Sequence, residues 1–311
     1  MVDGMVEKIN QLYDIGKITL DQKNMLLQAM QEQNSDQHSE VHVATILGSI
    51  EKPIQIKLIS EDLRISGEKT LEQINILKGI EAVDVNNAEN AVIISTKKEG
   101  SESKFFGFGS TSQGSVVIQA PYKSPITAKT VSSDVTINDF QSDILIKSVS
   151  GDIDAKNILG DLSAITVSGD INLDHIKHCS ELVSKSGDIA LNDCHVTGQL
   201  KSYSGDISFK NSTIDTAEIA VFSGDISLQP VDIDGDLYIK SFSGDIKLLI
   251  PASVRDKIKH IQFSVSSGDI IFEDQEEKVQ LKDKEVLFDK GTVKIHLKST
   301  SGTIKVILKK E

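Results

Sequence analysis

The stretch Ile146-Lys147-Ser148-Val149-Ser150-Gly151-Asp152-Ile153-Asp154-Ala155 contains the tetrapeptide that organises the chain. Ser-Gly-Asp-Ile recurs at Ser168–Ile171, Ser186–Ile189, Ser204–Ile207, Ser223–Ile226, Ser243–Ile246 and Ser267–Ile270. A degenerate copy, Ser132-Ser133-Asp134-Val135, precedes the series, and Ser301-Gly302-Thr303-Ile304 closes it. Gly151, Gly169, Gly187 and Gly205 are 18 residues apart; the next gaps are 19, 20, 24 and 34. A unit this short cannot bury an apolar face alone, so it must stack on its neighbours as a solenoid.

The surrounding pattern is apolar, x, Ser/Thr, x, Ser-Gly-Asp-Ile, x, apolar, repeated at Leu200 to Phe209 and Ile239 to Leu248. Period-two alternation predicts strands. Gly-Asp predicts the turn between them, because glycine adopts positive φ and aspartate bonds nearby backbone. Second apolar clusters at Ile158/Leu162, Ile176/Leu182, Ile214/Ile219 and Ile233/Leu237 give each coil at least two strands. Stacking at ~4.8 Å predicts columns of like residues and a rod of about eight coils, roughly 40 Å long. One column is isoleucine, from Ile153 to Ile270. Another holds the hydroxyls Ser148, Thr166, Ser184, Ser202 and Ser241. Inward hydroxyls need partners, which ladder neighbours can supply.

Composition narrows the function. The chain has 311 residues and a net charge of −13, which disfavours nucleic acid and favours cationic peptides or metal ions. Aromatics are only 5% and Trp is absent, which fits stacked aliphatics and not a sugar groove. No apolar run approaches the ~20 residues of a membrane span. Met1 to Asn10 lacks the regions of a secretory signal, so the expected location is cytoplasmic.

The Ser-Gly-Asp-Ile coils, led in by Val116-Val117-Ile118-Gln119-Ala120-Pro121, resemble a bacterial β-strand-repeat domain family of unknown function described as a candidate adhesin. Glu7 to Met30 resembles the helical module that precedes this domain in YvlB-like and LiaX-like proteins. The resemblance implies a role in the Gram-positive cell-envelope stress response, sensing membrane-active peptides and antibiotics, and pulls the location toward the cell surface.

The expected fold is mainly β: a parallel β-solenoid (β-helix) of ~18-residue coils behind a small α-helical hairpin. Residues 1–33 form the hairpin, with Val6, Ile9, Leu12 and Tyr13 at helical spacing, Gly16 as a stop and a Thr19/Gln22 capping box. Residues 34–40 are a linker and 41–311 the solenoid. Within it, 41–126 form irregular first coils and a cap, 127–272 the regular coils, and 273–311 a last coil with a charged insertion, Glu273 to Asp289. Asn86-Asn87 reads as a turn. The hairpin is a candidate homo-oligomer or partner contact.

Three sets of residues are candidate sites. Seven Ser-Gly-Asp copies without a recurring His cannot each be a catalytic triad, so no catalytic residue and no enzyme activity is expected. The aspartates Asp134, Asp152, Asp170, Asp188, Asp206, Asp225, Asp245 and Asp269 form a column that either binds Ca²⁺ or accepts backbone N–H bonds. His175, His178, Cys179, Cys194 and His195 either approach one another as zinc ligands or, for Cys194, fill core. Phe105, Phe106 and Phe108 either tip a loop for a membrane or partner, or cover the solenoid end. No other cofactor is expected. The preferred function is a non-enzymatic binding or scaffold protein for a protein or cationic peptide; a calcium-dependent adhesin and a polysaccharide lyase are the alternatives.

Overall fold

The chain divides into Met1–His42 and Val43–Glu311. The structure, a computed structural model, describes residues 44–46, 51–97, 114–274, 277–280, 285–288 and 290–309. The expected helical hairpin, its linker and Phe105, Phe106 and Phe108 lie outside the described residues.

Alternation sets the core. Strand Ile144–Ser150 turns Ile144, Ile146 and Ser148 inward and Leu145, Lys147 and Val149 outward. It pairs in parallel with Ile126–Ser132 on one side and Ile153–Ser168 on the other, with Ser148 level with Thr130 and Thr166. After the Ser-Gly-Asp turn a second strand run begins, in which Ile153 pairs with Val135 and Ile171. Ile153, Ile171, Ile189, Ile207, Ile226, Ile246 and Ile304 are all fully buried. A third, shorter run starts after a left-handed residue: Asp139 (φ 67°), Asn157 (55°), His175 (57°), Asp193 (53°) and Asn211 (51°). Four of these five are Asn or Asp, which tolerate that conformation best.

The glycines are dictated by the stack. A Cβ on Gly169 would lie 2.2 Å from the Gly151 carbonyl oxygen, and one on Gly205 2.3 Å from that of Gly187. The inward hydroxyls bind this same backbone. Ser184 donates to the Gly169 carbonyl (3.2 Å) and Ser202 to that of Gly187 (3.2 Å). Thr130 instead donates to Ser148 (3.0 Å), whereas the Thr166 and Ser241 hydroxyls find no partner among the described residues. Neighbouring levels thus supply partners to Ser148, Ser184 and Ser202, the latter two through glycine carbonyls.

Spatial order departs from chain order at both ends. Strand Ile54–Leu58 sits between Val92–Thr96 and Ile126–Ser132, and Asp62–Glu68 between Ser115–Pro121 and Val135–Phe140. The first coil in sequence is thus second in the stack. At the other end Val293–Ser301 lies between Leu237–Ser243 and Ile258–Ser267, and Ile304–Leu308 between Ile246–Ile250 and Ile270–Asp274. The last coil in sequence is second from that end. Eleven levels stand among the described residues, about 48 Å from first to last. This exceeds the expected eight because the irregular segments also contribute full levels.

Each swap makes the chain skip a level. Pro121, Pro125 and Pro251 stand at the two skips, where no ladder N–H is needed. After Pro251 the single-turn helix Ala252–Arg255 leads to the outer level, and Arg255 forks onto both Asp274 oxygens (2.8 and 2.8 Å).

Antiparallel strands then cover the outer levels: Val83–Asn87 on Val92–Thr96 and Ile74–Lys78 on Ser115–Pro121. At the far end Glu277–Gln280 covers Ile270–Asp274, and Glu285–Leu287 covers Ile258–Ser267. Covering an open edge prevents growth of the sheet. The Asn86-Asn87 pair, expected as a turn, instead closes the strand Val83–Asn87, with Asn87 opposite Val92.

Candidate binding face

The aspartate column is held by backbone. Asp170 N–H donates to Asp152 Oδ1 (2.8 Å), Asp188 N–H to Asp170 (2.8 Å), and Asp206 N–H to Asp188 (2.7 Å). Asp225 and Asp245 continue it (2.7 Å each), Asp134 serves Asp152 (2.9 Å), and Asp62 serves Asp134 (3.2 Å). At the next level Thr303 replaces Asp and donates its N–H to Asp245 (2.7 Å); Asp269 stands at the outermost level. Each carboxylate from Asp62 to Asp245 thus commits Oδ1 to the next turn. Among the described residues no group of three or more His, Cys, Asp or Glu is arranged to hold a metal.

The His/Cys set is split by strand alternation. Cys179 and Cys194 point into the core, 0% and 2% exposed. Each thiol has the other as a hydrogen-bond partner, and this, with burial, pushes the Cys179 thiol well up. Cys194 Sγ also contacts the Leu173 and Asn192 carbonyls (3.6 and 3.2 Å). His178 and His195, adjacent to them in sequence, turn the other way, with ring centroids 5.6 Å apart. Sulfurs and imidazoles on opposite faces cannot share a tetrahedral ion, so the sequence-level zinc grouping does not assemble. His175 instead contacts Asp174 (2.8 Å) and Asp193 (3.0 Å).

Asp174 belongs to a polar ladder on the second strand run. Asn192 Nδ2 (2.8 Å), Lys156 (3.0 Å) and His175 bring its carboxyl down to about 2. A depressed carboxyl contributes stability above the ordinary carboxylate range and loses it as pH falls through 2. NMR titration should find Asp174 as a low-titrating group, and Asn192→Ala should raise it; an ordinary value in both proteins would refute this ladder.

The feature not recognised from sequence lies on the outward face of the first strand run. The residue between the hydroxyl and Ser-Gly-Asp points outward, two positions after an outward residue that is usually lysine. It is Ile59, Val131, Val149, Val167, Lys185, Tyr203, Phe222 and Phe242 at successive levels. Seven of the eleven large hydrophobic side chains exposed among the described residues fall in this one column. Scattered exposed apolar residues need no explanation, but an aligned strip does. It runs about 34 Å over eight levels.

Tyr203 is 61%, Phe222 53% and Phe242 51% exposed. Phe222 and Phe242 stack at 4.7 Å with an interplanar angle of 1°, and Tyr203 lies 6.4 Å from Phe222. With Lys201, Lys240 and Lys298 they border a shallow open groove. The signal was present in the repeat, since Val149, Val167, Tyr203, Phe222 and Phe242 share one position beside the turn.

Three columns therefore run side by side. Lys57, Lys129, Lys147, Lys201, Lys240 and Lys298 form the first, interrupted by Ile165, Val183 and Ala220. The apolar strip is the second and the aspartates are the third. Among the described residues none of Lys129, Lys147, Lys240 or Lys298 has an ion-pair partner, and neither does any aspartate from Asp134 to Asp245 in the column.

Among the described residues no helix is long and apolar enough to cross a membrane. The model of the domain family described as Toastrack DUF4097 matches residues 50–307. No curated protein matches the chain. Solved structures with a similar chain path include a candidate cell-adhesion protein from Clostridium sporogenes, 9% identical over 86% of this chain and 99% of that one (TM-score 0.26). A candidate adhesin from Bacteroides fragilis is 16% identical over 86% and 98% (TM-score 0.42). A candidate lipid-binding protein from Parabacteroides distasonis is 16% identical over 86% and 93% (TM-score 0.37).

Proposed function

The chain belongs to the Toastrack DUF4097 family, and from that premise we propose that it is a non-enzymatic binding module of the envelope-stress type. Its ligand is a cationic amphipathic peptide laid along the Ile59–Phe242 strip. The observation that carries this reading is the exposed apolar column flanked by the carboxylates Asp134 to Asp245, which form no ion pair among the described residues. The acid column supplies attraction and the strip supplies burial.

Pitch supports the match. An amphipathic helix advances 5.4 Å per turn, close to the ~4.8 Å between levels. Its apolar stripe can thus follow the column nearly one turn per level, with basic side chains directed to the aspartate side. Nothing in such a contact reads individual residues, so the module selects a class of peptide and not one sequence.

The chain lacks Trp, so a peptide carrying one Trp reports binding by its own fluorescence. Phe222→Ala/Phe242→Ala should weaken binding about tenfold, from ~0.5–1.5 kcal/mol per lost ring contact. Asp206→Asn/Asp225→Asn/Asp245→Asn should weaken it and flatten its salt dependence. Absence of binding to the native protein, or equal binding by all three proteins, would sink the reading.

A further inference from the structure

The Lys–apolar–Asp stripe has a symmetry that the peptide reading does not use. Rotation by 180° about an axis parallel to the stack keeps every level at its height and exchanges left with right. A second copy placed this way sets its apolar column on the first copy's apolar column. Its lysines then face the first copy's aspartates, and its aspartates face the first copy's lysines. Lys240 meets Asp245 of the second copy, Lys201 meets Asp206, Lys147 meets Asp152 and Lys129 meets Asp134. A two-fold axis across the stack would instead set lysine against lysine. The stripe is self-complementary about one axis only.

We propose that two copies of this chain associate through this stripe, about a two-fold axis parallel to the stack, and so cover the binding face. The charges argue for it. Within one copy the two charged columns are separated by the apolar strip, and the lysines and aspartates named above form no ion pair among the described residues. A second copy supplies the opposite charge to both columns at the same levels. The size of the strip sets the strength. A length of about 34 Å and a width of two outward steps, ~13 Å, give roughly 450 Å² per copy. That is below the ~800 Å² of a standard interface, so the dimer is weak and depends on concentration. Lys185 is the exception that limits it: it stands in the apolar column between Val167 and Tyr203 and would face Lys185 of the second copy.

The inference rests on the reading of this strip as the binding face, but not on the peptide as its ligand. Sedimentation velocity of the full chain over a range of concentrations tests it. The native protein should show a reversible monomer–dimer equilibrium. Lys201→Glu/Lys240→Glu should be monomeric, and so should Asp206→Lys/Asp245→Lys. An equimolar mixture of the two should recover the dimer, because the mixed pair restores both sets of contacts. Phe222→Ala/Phe242→Ala should also be monomeric, which covers the case in which the aspartate variant does not fold. Lys185→Val should tighten the dimer.

A native protein that stays monomeric at every concentration overturns the proposal; so does a dimer indifferent to the lysine and phenylalanine changes. A monomer that still binds the Trp-bearing peptide overturns the dimer alone and leaves the peptide reading standing. A dimer that dissociates on the charge changes but ignores the peptide supports the dimer and removes the peptide.

Discussion

Gly205→Ala is expected to destabilise the solenoid by about 3 kcal/mol or more, the scale of a residue forced into a poor backbone region. Its φ is 150°. The new Cβ would lie 2.3 Å from the Gly187 carbonyl oxygen, 2.6 Å from its carbon and 3.0 Å from Asp188 Oδ1. That same Oδ1 accepts the Asp206 N–H at 2.7 Å. The methyl group can be housed only by separating two levels, and separation breaks the ladder beside it. By size scaling this lowers Tm by roughly 6–12 °C. Gly114→Ala is the control: its Cβ would have only Glu61 Cγ within reach, at 4.0 Å, so its effect should stay within about 0.5 kcal/mol. Equal melting of the two variants, followed by circular dichroism, would show that the turn column is not packed as described.

Deletion of residues 292–311 is expected to do more than fray an end. The lost strands Val293–Ser301 and Ile304–Leu308 lie inside the stack, with a further level beyond them. Val293, Ile295, Leu297, Ile304, Val306 and Leu308 are all buried. Their loss removes on the order of 10 kcal/mol of burial. It also leaves Ile258–Ser267 and Ile270–Asp274 without the level they pair to. Limited proteolysis should cut the shortened chain throughout 252–274, while the full chain resists there. Protection of that segment in the shortened chain would disprove the interleaved order. The same topology implies that the outer level docks only after residues 293–308 are made.

The regular coils were legible because Ser-Gly-Asp-Ile carries its own physical reason. Gly at a positive-φ contact, Asp beside it and Ile inward leave few other readings, and Ile153 through Ile246 occupy the column the spacing predicts. The two ends were not legible. Nothing in Leu63-Arg64-Ile65 or Lys294-Ile295-His296 states which neighbour it will pair with, since all levels present similar apolar ladders. The prolines at the skips were visible, but their role appears only when the stack is known. The zinc grouping failed through neglect of parity: Cys179 and His178 are consecutive, so a strand sends them to opposite faces. The apolar strip does not stand out in the repeat because Val149 and Phe222 occupy a position that the pattern leaves unspecified, and only the burial alternation places these residues together on the outside.

By itself the sequence determined the strand–turn–strand unit, its stacking and its inward isoleucine and hydroxyl columns, because these follow from local sterics repeated at a constant interval. Only the tertiary structure decided the order of levels at the ends and the neighbour to which each aspartate bonds. It also decided the assembly of single outward residues into one apolar strip, broken at a single level by Lys185. Those outcomes depend on contacts between residues 18 or more apart, and no single repeat encodes which level will lie above it.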